Sequence, residues 1–375
     1  MSALFSNVSQ LNWQQVVMWC IGGLLIYLAI RKDMEPTLLL PLGFGAILVN
    51  LPMSGAVTQV YDGIAEIGVI DMLFDAGIAN ELFPLLLFVG IGAMIDFEPL
   101  LTNPKLMIFG AAAQFGIFFT LSLAALFGFD LKDAASIAII GAADGPTSIF
   151  VANYFHSKYI GAIMVAAYSY MALVPVVQPP VIKLLTTKQE RRIRMVYQQR
   201  SVSKITKILF PIAITVITGI VSPRSVALIG FLMFGNLIRE CGVLDSLSET
   251  AQKVLANLVT LFLGITIATK MQAQYFLTAE TLLILGLGLV AFVFDTAGGV
   301  IFAKILNLFL PKDSKINPMI GAAGISAFPM SARVVHKLGR AEDPQNFLLM
   351  PAVGVNVSGQ IASVIAGGLI LNLLG

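Results

Sequence analysis

The segment IGAADGPTSIF, residues 140–150, decides how this chain must fold. Asp144 stands among small and apolar residues and is followed at once by Gly145 and Pro146. Proline removes a backbone donor and breaks a helix, while glycine lets backbones approach closely. A break here leaves carbonyl oxygens without helical partners, and lipid supplies none. Broken backbone, the carboxylate and the Thr147 and Ser148 hydroxyls together offer hard oxygen ligands that suit a bare sodium ion or a proton. The plainer reading is that Asp144 caps a helix beginning at Pro146. An ionisable group in a membrane segment costs about 2.5–3.5 kcal/mol on insertion scales and is functional by default.

The rest of the chain makes that depth a membrane. Of its 375 residues, 57% are hydrophobic and 12% charged. An ordinary soluble domain carries about 25% charged residues, so this chain cannot coat a water-facing surface. A soluble enzyme is excluded, and so is disorder. Net charge is +2. Cys20 and Cys241 form no disulfide framework or metal motif, and His156 and His336 are isolated. No catalytic triad, phosphate loop, dinucleotide fingerprint or biotin-attachment tetrapeptide is present.

Apolar stretches predict spans near 15–31, 37–51, 83–101, 105–128, 159–182, 207–222, 224–240, 257–274, 280–306 and 345–374. Segments 53–80 and 241–256 are punctuated by polar residues and read as interfacial helices or loops. Segments 134–156 and 316–335 read as broken, re-entrant pieces. Residues 1–14 carry no charge, and Arg31 and Lys32 follow the first span. The N-terminus is therefore read as outside, with no cleavable signal. The stretch 183–207, KLLTTKQERRIRMVYQQRSVSKITK, holds eight Lys/Arg against Glu190. It reads as a cytoplasmic linker (183–206) between membrane units 1–182 and 207–375.

The two units resemble each other. EPTLLLPLGFGAIL (35–48) aligns with SPRSVALIGFLMFG (222–235), LLFVGIGA (86–93) with TLFLGITI (260–267), and IGAADG (140–145) with IGAAGI (320–325). Three matches in the same order suggest a duplication, and an odd number of crossings per half makes the repeats inverted. Charge placement fits five crossings per half, with both termini outside. The expected fold is an all-α polytopic membrane protein of two inverted repeats with broken, re-entrant helices.

Two further motifs share the grammar of the first. In INPMIGAAGISAFPMSARVV (316–335), Asn317, a run of small residues, Ser326 and Pro329 precede Arg333. Arg333 reads either as a snorkelling anchor or as a cation for a carboxylate. In VGVNVSGQIASVIAGG (353–368), Asn356, Ser358 and Gln360 could complete a sodium shell or bond between helices. Asp295 in FVFDTAGGV competes with Asp144 for the ion or proton. Tyr170 in YSYMALVPVVQPP precedes a proline-broken stretch.

These five segments, in this order and over nearly the whole chain, resemble the β subunits of the sodium-pumping biotin-dependent decarboxylases, which act on oxaloacetate, methylmalonyl-CoA or glutaconyl-CoA. The resemblance implies decarboxylation of carboxybiotin on a partner carrier, with proton consumption coupled to sodium export across a bacterial inner membrane. It implies biotin on that partner, a carboxyltransferase α subunit, a small single-span membrane subunit and several β copies together. It implies an elevator-type fold. By resemblance, Asp144 is the essential acid and Tyr170 the proton source. Asn317, Gly321, Ser326 and Arg333 match the second functional segment, and Asn356 matches a further sodium-site asparagine. With Thr147 from the first motif, the expected sodium ligands are Asp144, Thr147, Asn317, Gly321, Ser326 and Asn356, with the ion at Asp144, Asn317 and Asn356. The chain's shortness is more like the acyl-CoA branch than the oxaloacetate branch. The residues read alone also fit a sodium- or proton-coupled carboxylate carrier without chemistry.

Overall fold

The computed structural model describes residues 11–61, 63–195, 201–311 and 314–375. In lipid every backbone polar group must be satisfied within its own segment, and the chain is accordingly built almost wholly of helices. They run α1 (Trp13–Lys32), α2 (Pro36–Val49), a short antiparallel pair β1 (Gln59–Tyr61) and β2 (Ile64–Glu66), then α3 (Val69–Phe74) and α4 (Leu82–Met94). Next come α5 (Met107–Ala113), α6 (Phe115–Leu126), α7 (Leu131–Ala138), α8 (Gly145–Tyr154) and α9 (Ile160–Leu185). The second half holds α10 (Lys204–Val221), α11 (Val226–Glu240), α12 (Ala256–Ile267), α13 (Ala279–Phe309), α14 (Met330–Glu342) and α15 (Leu349–Leu374). Among the described residues, seven helical runs are long and apolar enough to cross a membrane, or eight if the bent pair Val69–Ala79 and Leu82–Met94 counts as one.

The first interrupted segment turns back on itself. α7 continues as a 3-10 turn, Ile139–Ala142, and breaks at Ala143, whose φ of 51° is left-handed. α8 then starts at Gly145. At the open end, the Ser157 hydroxyl donates to Asp133 at 2.6 Å, and the Lys132 ammonium lies 5.9 Å from the centre of the Phe155 ring. Start and finish therefore meet, which makes the segment a hairpin rather than a crossing.

The second interrupted segment does the same. Its arms are a 3-10 run, Pro318–Gly324, and α14. Both open ends gather on the linker. The Asn317 amide donates to the carbonyls of Arg191 (3.0 Å) and Ile193 (2.8 Å), and the Asn346 amide donates to Arg191 O at 2.9 Å. Arg191 Nε pairs with Glu342 at 2.7 Å. That hydrogen bond holds the Glu342 carboxyl below its ordinary value. Midway along, the Gln178 amide ties the two arms, donating to Ala322 O (2.7 Å) and Ser331 Oγ (2.9 Å).

The hairpins enter from opposite ends of the bundle. α9 begins at the open end of the first, where Tyr159 packs edge-on to Phe129. It ends at the open end of the second, where Thr186 O accepts from Arg191. Its 26 residues span about 39 Å at 1.5 Å per residue. α13 runs parallel to it: Glu280 shares a cavity with Lys158 and Phe129, while Lys304 pairs with Glu190 at 3.3 Å. Between these ends the hairpin tips touch, with Ser326 N donating to Ala142 O at 2.9 Å.

Two expected interfacial segments are continuous with apolar helices. Residues 69–79 join α4 across a 62° bend, and the run Asp245–Met271 is apolar enough to cross. The charges that suggested an interface, Asp245, Glu249 and Lys253, all lie in the first nine residues of that run. Its remainder is an ordinary span, and the exposed Glu249–Lys253 pair is simply its wet end. Lys270 sits at the far end of the same run, 4.3 Å from the centre of the Phe74 ring.

The Arg191 carbonyl holds Asn317 and Asn346 and survives substitution. Its guanidinium alone ties Glu342 at the end of α14 to Thr186 of the linker, so Arg191→Ala should loosen that hairpin at its base. Loss of one charged hydrogen bond costs about 1.5–3 kcal/mol. The expected result is a lower melting temperature in detergent and faster proteolysis at residues 186–195. An unchanged melting curve would contradict this.

Candidate functional site

The site is built where the two tips meet α15. Asp144 is 3% exposed and is the N-cap of α8. Its Oδ1 accepts from Thr147 N at 3.2 Å, and its Oδ2 accepts from the Thr147 hydroxyl at 2.8 Å. The cap reading of the sequence is therefore seen directly in this side chain. From α15, Oδ2 also accepts from Ser363 Oγ at 2.8 Å and Gln360 Nε2 at 3.2 Å. The second hairpin supplies Ser326, whose hydroxyl contacts those of Ser363 and the Gly359 carbonyl. Asn356 Nδ2 donates to Ile325 O at 2.7 Å, so the amide orients the second tip. Its Oδ1 is buried without a partner.

Hydroxyl protons order this cluster. Each serine has one proton and two lone pairs. If Ser363 donates to Asp144, it can accept from Ser326, which gives a chain Ser326 to Ser363 to Asp144. Asn356, Gln360 and Ser363 lie at i, i+4 and i+7 and so share one helix face. The result is one carboxylate, hydroxyls, amide oxygens and unwound carbonyls at the junction of two broken segments. Such sets coordinate monovalent cations in transporters. Among the described residues, no group of three His, Cys, Asp or Glu side chains could hold a metal ion, and one carboxylate matches one positive charge.

Not every expected residue comes to this place. Asn317 does not. Seven residues of 3-10 helix separate it from the tip, about 14 Å at 2.0 Å per residue, and its amide is spent on the linker. Asn317 and Ser326 therefore cannot share one ion. Gly321 lies mid-arm against Gly299 of α13, where a Cβ on either would collide with the other's carbonyl. Tyr170 donates its hydroxyl to Leu285 O on α13. Arg333 is exposed on α14, within electrostatic reach of Glu35 at the α1–α2 turn. Burial raises the Glu35 carboxyl above its ordinary value, and the Arg333 guanidinium pulls it back.

Two residues were missed by sequence reasoning. Ser363 continues the polar stripe of Asn356 and Gln360, a signal present in the spacing. Tyr168 is fully buried with its hydroxyl unpartnered, and its ring lies flat where a side chain at position 145 would stand. Nothing in YSY distinguishes Tyr168 from Tyr170 before the helix is placed.

A family model described as the Na+-transporting oxaloacetate decarboxylase beta subunit matches residues 14–374. The chain belongs to this family. It is a β subunit of a sodium-transporting decarboxylase and a multi-pass membrane protein. It is 48% identical to the glutaconyl-CoA decarboxylase subunit beta of Acidaminococcus fermentans, over 97% of this chain and 94% of that one. It is 46% identical to the methylmalonyl-CoA decarboxylase subunit beta of Propionigenium modestum, over 97% and 96%. It is 44% identical to the oxaloacetate decarboxylase beta chain of Klebsiella pneumoniae, over 95% and 94%. Relatives of all three substrate classes thus stand at similar identity.

The two tyrosines of this β subunit should separate in kinetics. Tyr168→Phe removes the unpaired hydroxyl nearer Asp144, whose lone pair is free for sodium, and should raise the sodium concentration for half-maximal rate by about tenfold, the worth of one polar contact. Tyr170→Phe should lower the maximal rate at saturating sodium. Sodium titrations of both variants check this, and identical effects would contradict it.

Proposed function

We propose that this β subunit decarboxylates carboxybiotin presented by a biotinyl carrier and couples that step to sodium export. Biotin resides on the carrier, and a carboxyltransferase α subunit loads it. A small single-span subunit and further β copies complete the assembly. The observation that carries the reading is the Asp144 cluster, enclosed by two hairpin tips and α15.

Sodium is cargo here, held by Asp144, Thr147, Ser326, Asn356, Gln360 and Ser363. Arg333, exposed beside the α1–α2 turn, offers a planar guanidinium to the carboxylate of carboxybiotin. The bond from ring nitrogen to carboxylate carbon breaks, CO2 leaves, and the electron pair stays on nitrogen, which takes a proton. Tyr170 is the proton source in this scheme.

The repeated element order and the opposed hairpins support two inverted repeats, 1–182 and 207–375, joined by the linker 183–206. An elevator-type movement of the hairpins against the outer helices follows from that symmetry. Lys188, Arg191, Arg192, Arg194 and Lys304 crowd the second hairpin's open end, which supports placing that end in the cytoplasm. Both termini are then outside, in a bacterial inner membrane.

The acyl-CoA branch, glutaconyl-CoA or methylmalonyl-CoA, is the proposed source of the carboxyl group. The match to the Klebsiella chain runs over 411 positions to cover 95% of this chain, against 364 positions for 97% with the glutaconyl-CoA relative. The oxaloacetate relative therefore carries inserted residues that this chain lacks. The test is CO2 release from a carboxylated carrier domain by the protein in vesicles, with sodium varied. Sodium-dependent release supports the reading. Counterflow of an unmodified carboxylate without CO2 release would instead establish a plain carrier.

A further inference from the structure

Among the described residues, the scheme above leaves one fully buried acid unused. Asp295 lies in the middle of α13 with no exposed surface. Its Oδ1 accepts from Ile117 N at 3.1 Å, at the start of α6, where the break after α5 frees backbone donors. Its Oδ2 is buried without a partner. That oxygen faces the first hairpin: a Cβ on Gly141 would stand 2.6 Å from it and 2.7 Å from Ala291 Cβ. Glycine at 141 is what lets the 3-10 arm sit on the carboxyl. The arm closes directly over that oxygen, and a proton needs no ligand shell.

The surroundings supply no countercharge. α5, α6, α15 and both 3-10 arms carry no ionisable side chain. The ionisable groups on the remaining neighbours are Tyr168, Tyr170 and Lys183 of α9, Lys132 and Asp133 at the open-end start of α7, and Asp144, three residues beyond Gly141. Glu280 and Lys304 lie at the two ends of α13 itself. Tyr170 bonds Leu285 O, ten residues or about 15 Å along α13 from Asp295. An isolated carboxylate in a dry apolar site is neutralised rather than left charged.

We propose that Asp295 is a second, proton-binding site of the transport core, separate from Asp144, and that its proton is held while the first hairpin sits on α13. Seating of the arm Ile139–Ala142 excludes water from Oδ2, so the seated hairpin keeps the neutral acid. Lifting the arm admits water and lets the proton leave. The proton on Asp295 and the position of the hairpin that carries Asp144 are then linked, and a rise in pH favours the lifted arm. The competing possibility is that Asp295 stays ionised, fixed by the donors at the start of α6.

Infrared spectroscopy of the full-length protein in vesicles at neutral pH distinguishes these. Exposed carboxylates are ionised there, so a protonated-carboxyl C=O band reports a buried acid. The expected result is such a band in the wild type, lost in Asp295→Asn and retained in Asp144→Asn. Should Asp295→Asn not be recovered, Asp144→Asn alone suffices, because its band must persist and disappear as pH is raised. Deuterium exchange at residues 139–142, corrected for intrinsic pH dependence, should rise with pH in the wild type but not in Asp295→Asn. Absence of the band, its survival in Asp295→Asn, its loss in Asp144→Asn alone, or pH-dependent exchange that persists in Asp295→Asn would each overturn the proposal. None of these readouts uses decarboxylation, so the proposal can fail while the function above stands.

Discussion

An Asp144→Asn protein is expected to lose sodium-stimulated decarboxylation and sodium transport together. The substitution changes shape little. Thr147 N can still donate to the amide oxygen, so α8 keeps its cap. The amide nitrogen, however, brings two donors to a spot where the Thr147, Ser363 and Gln360 donors already converge. The negative charge is also gone. Two unit charges at 4 Å interact by about 4 kcal/mol at an effective dielectric of 20, which is roughly a thousandfold in affinity. Sodium at practical concentrations would then leave the site mostly empty. A binding readout separates this from catalytic damage. A ligand at a hundred times its dissociation constant stabilises the folded state by about 2.7 kcal/mol, so sodium should raise the melting temperature of the wild type and leave that of Asp144→Asn unmoved. Wild-type sodium stimulation in the variant would remove Asp144 from the ligand set.

Asp144 was legible because its chemistry is local. A carboxylate beside Gly145 and Pro146 in an apolar stretch breaks the helix and exposes oxygen wherever the rest of the chain goes. Asn356 and Gln360 were legible for a similar reason, as polar residues in an otherwise apolar span. Their companion Ser363 needed only the helical period. Asn317 was not legible in this way. Its resemblance to the motif around Asp144 suggested a ligand, but the answer depends on where the open end of the second hairpin lies, and that is set by Arg191, more than a hundred residues away in sequence. Ser358 shows the same limit: its hydroxyl turns away from the site to Val355 O and Leu106 O. Hydrophobic length is a local quantity, and seven of the ten expected spans coincide with helices long and apolar enough to cross. The span expected at 83–101 overlaps the bent pair, but 37–51 and 224–240 form only the 14-residue α2 and the 15-residue α11. The bend before α4 and the extension of α12 towards Asp245 were not legible, since charges at a helix end look like an interface until the helix is placed. The meeting of the two tips also lies outside local pattern, because it is a contact between Ala142 and Ser326.

Gly321 offers the sharpest separation between a packing role and a ligand role. The sequence suggested that its backbone or its neighbourhood held sodium. In the structure the 3-10 arm lies directly on α13, and Gly321 and Gly299 face each other so closely that a methyl group on either meets the other's carbonyl. Gly321→Ala must push the arm off α13. Inserting a methylene into a packed core costs about 1–3 kcal/mol, and here the obstacle is backbone on both sides, which yields less than a side chain. The arm leads to Ile325 and Ser326, so its displacement also carries the second tip away from Ala142, Asn356 and Ser363. Loss of thermal stability and loss of turnover should therefore appear together. A residue that only contributed a carbonyl to sodium would behave differently: the fold would hold, and only the sodium requirement would rise. The decisive comparison is Gly299→Ala. Gly299 is not itself an expected ligand, although it follows Asp295 in FVFDTAGGV, and the collision is reciprocal, so its variant should reproduce the Gly321→Ala phenotype in both melting and rate. A Gly299→Ala protein that melts and turns over as the wild type does would show that the contact is not what holds the second hairpin in place.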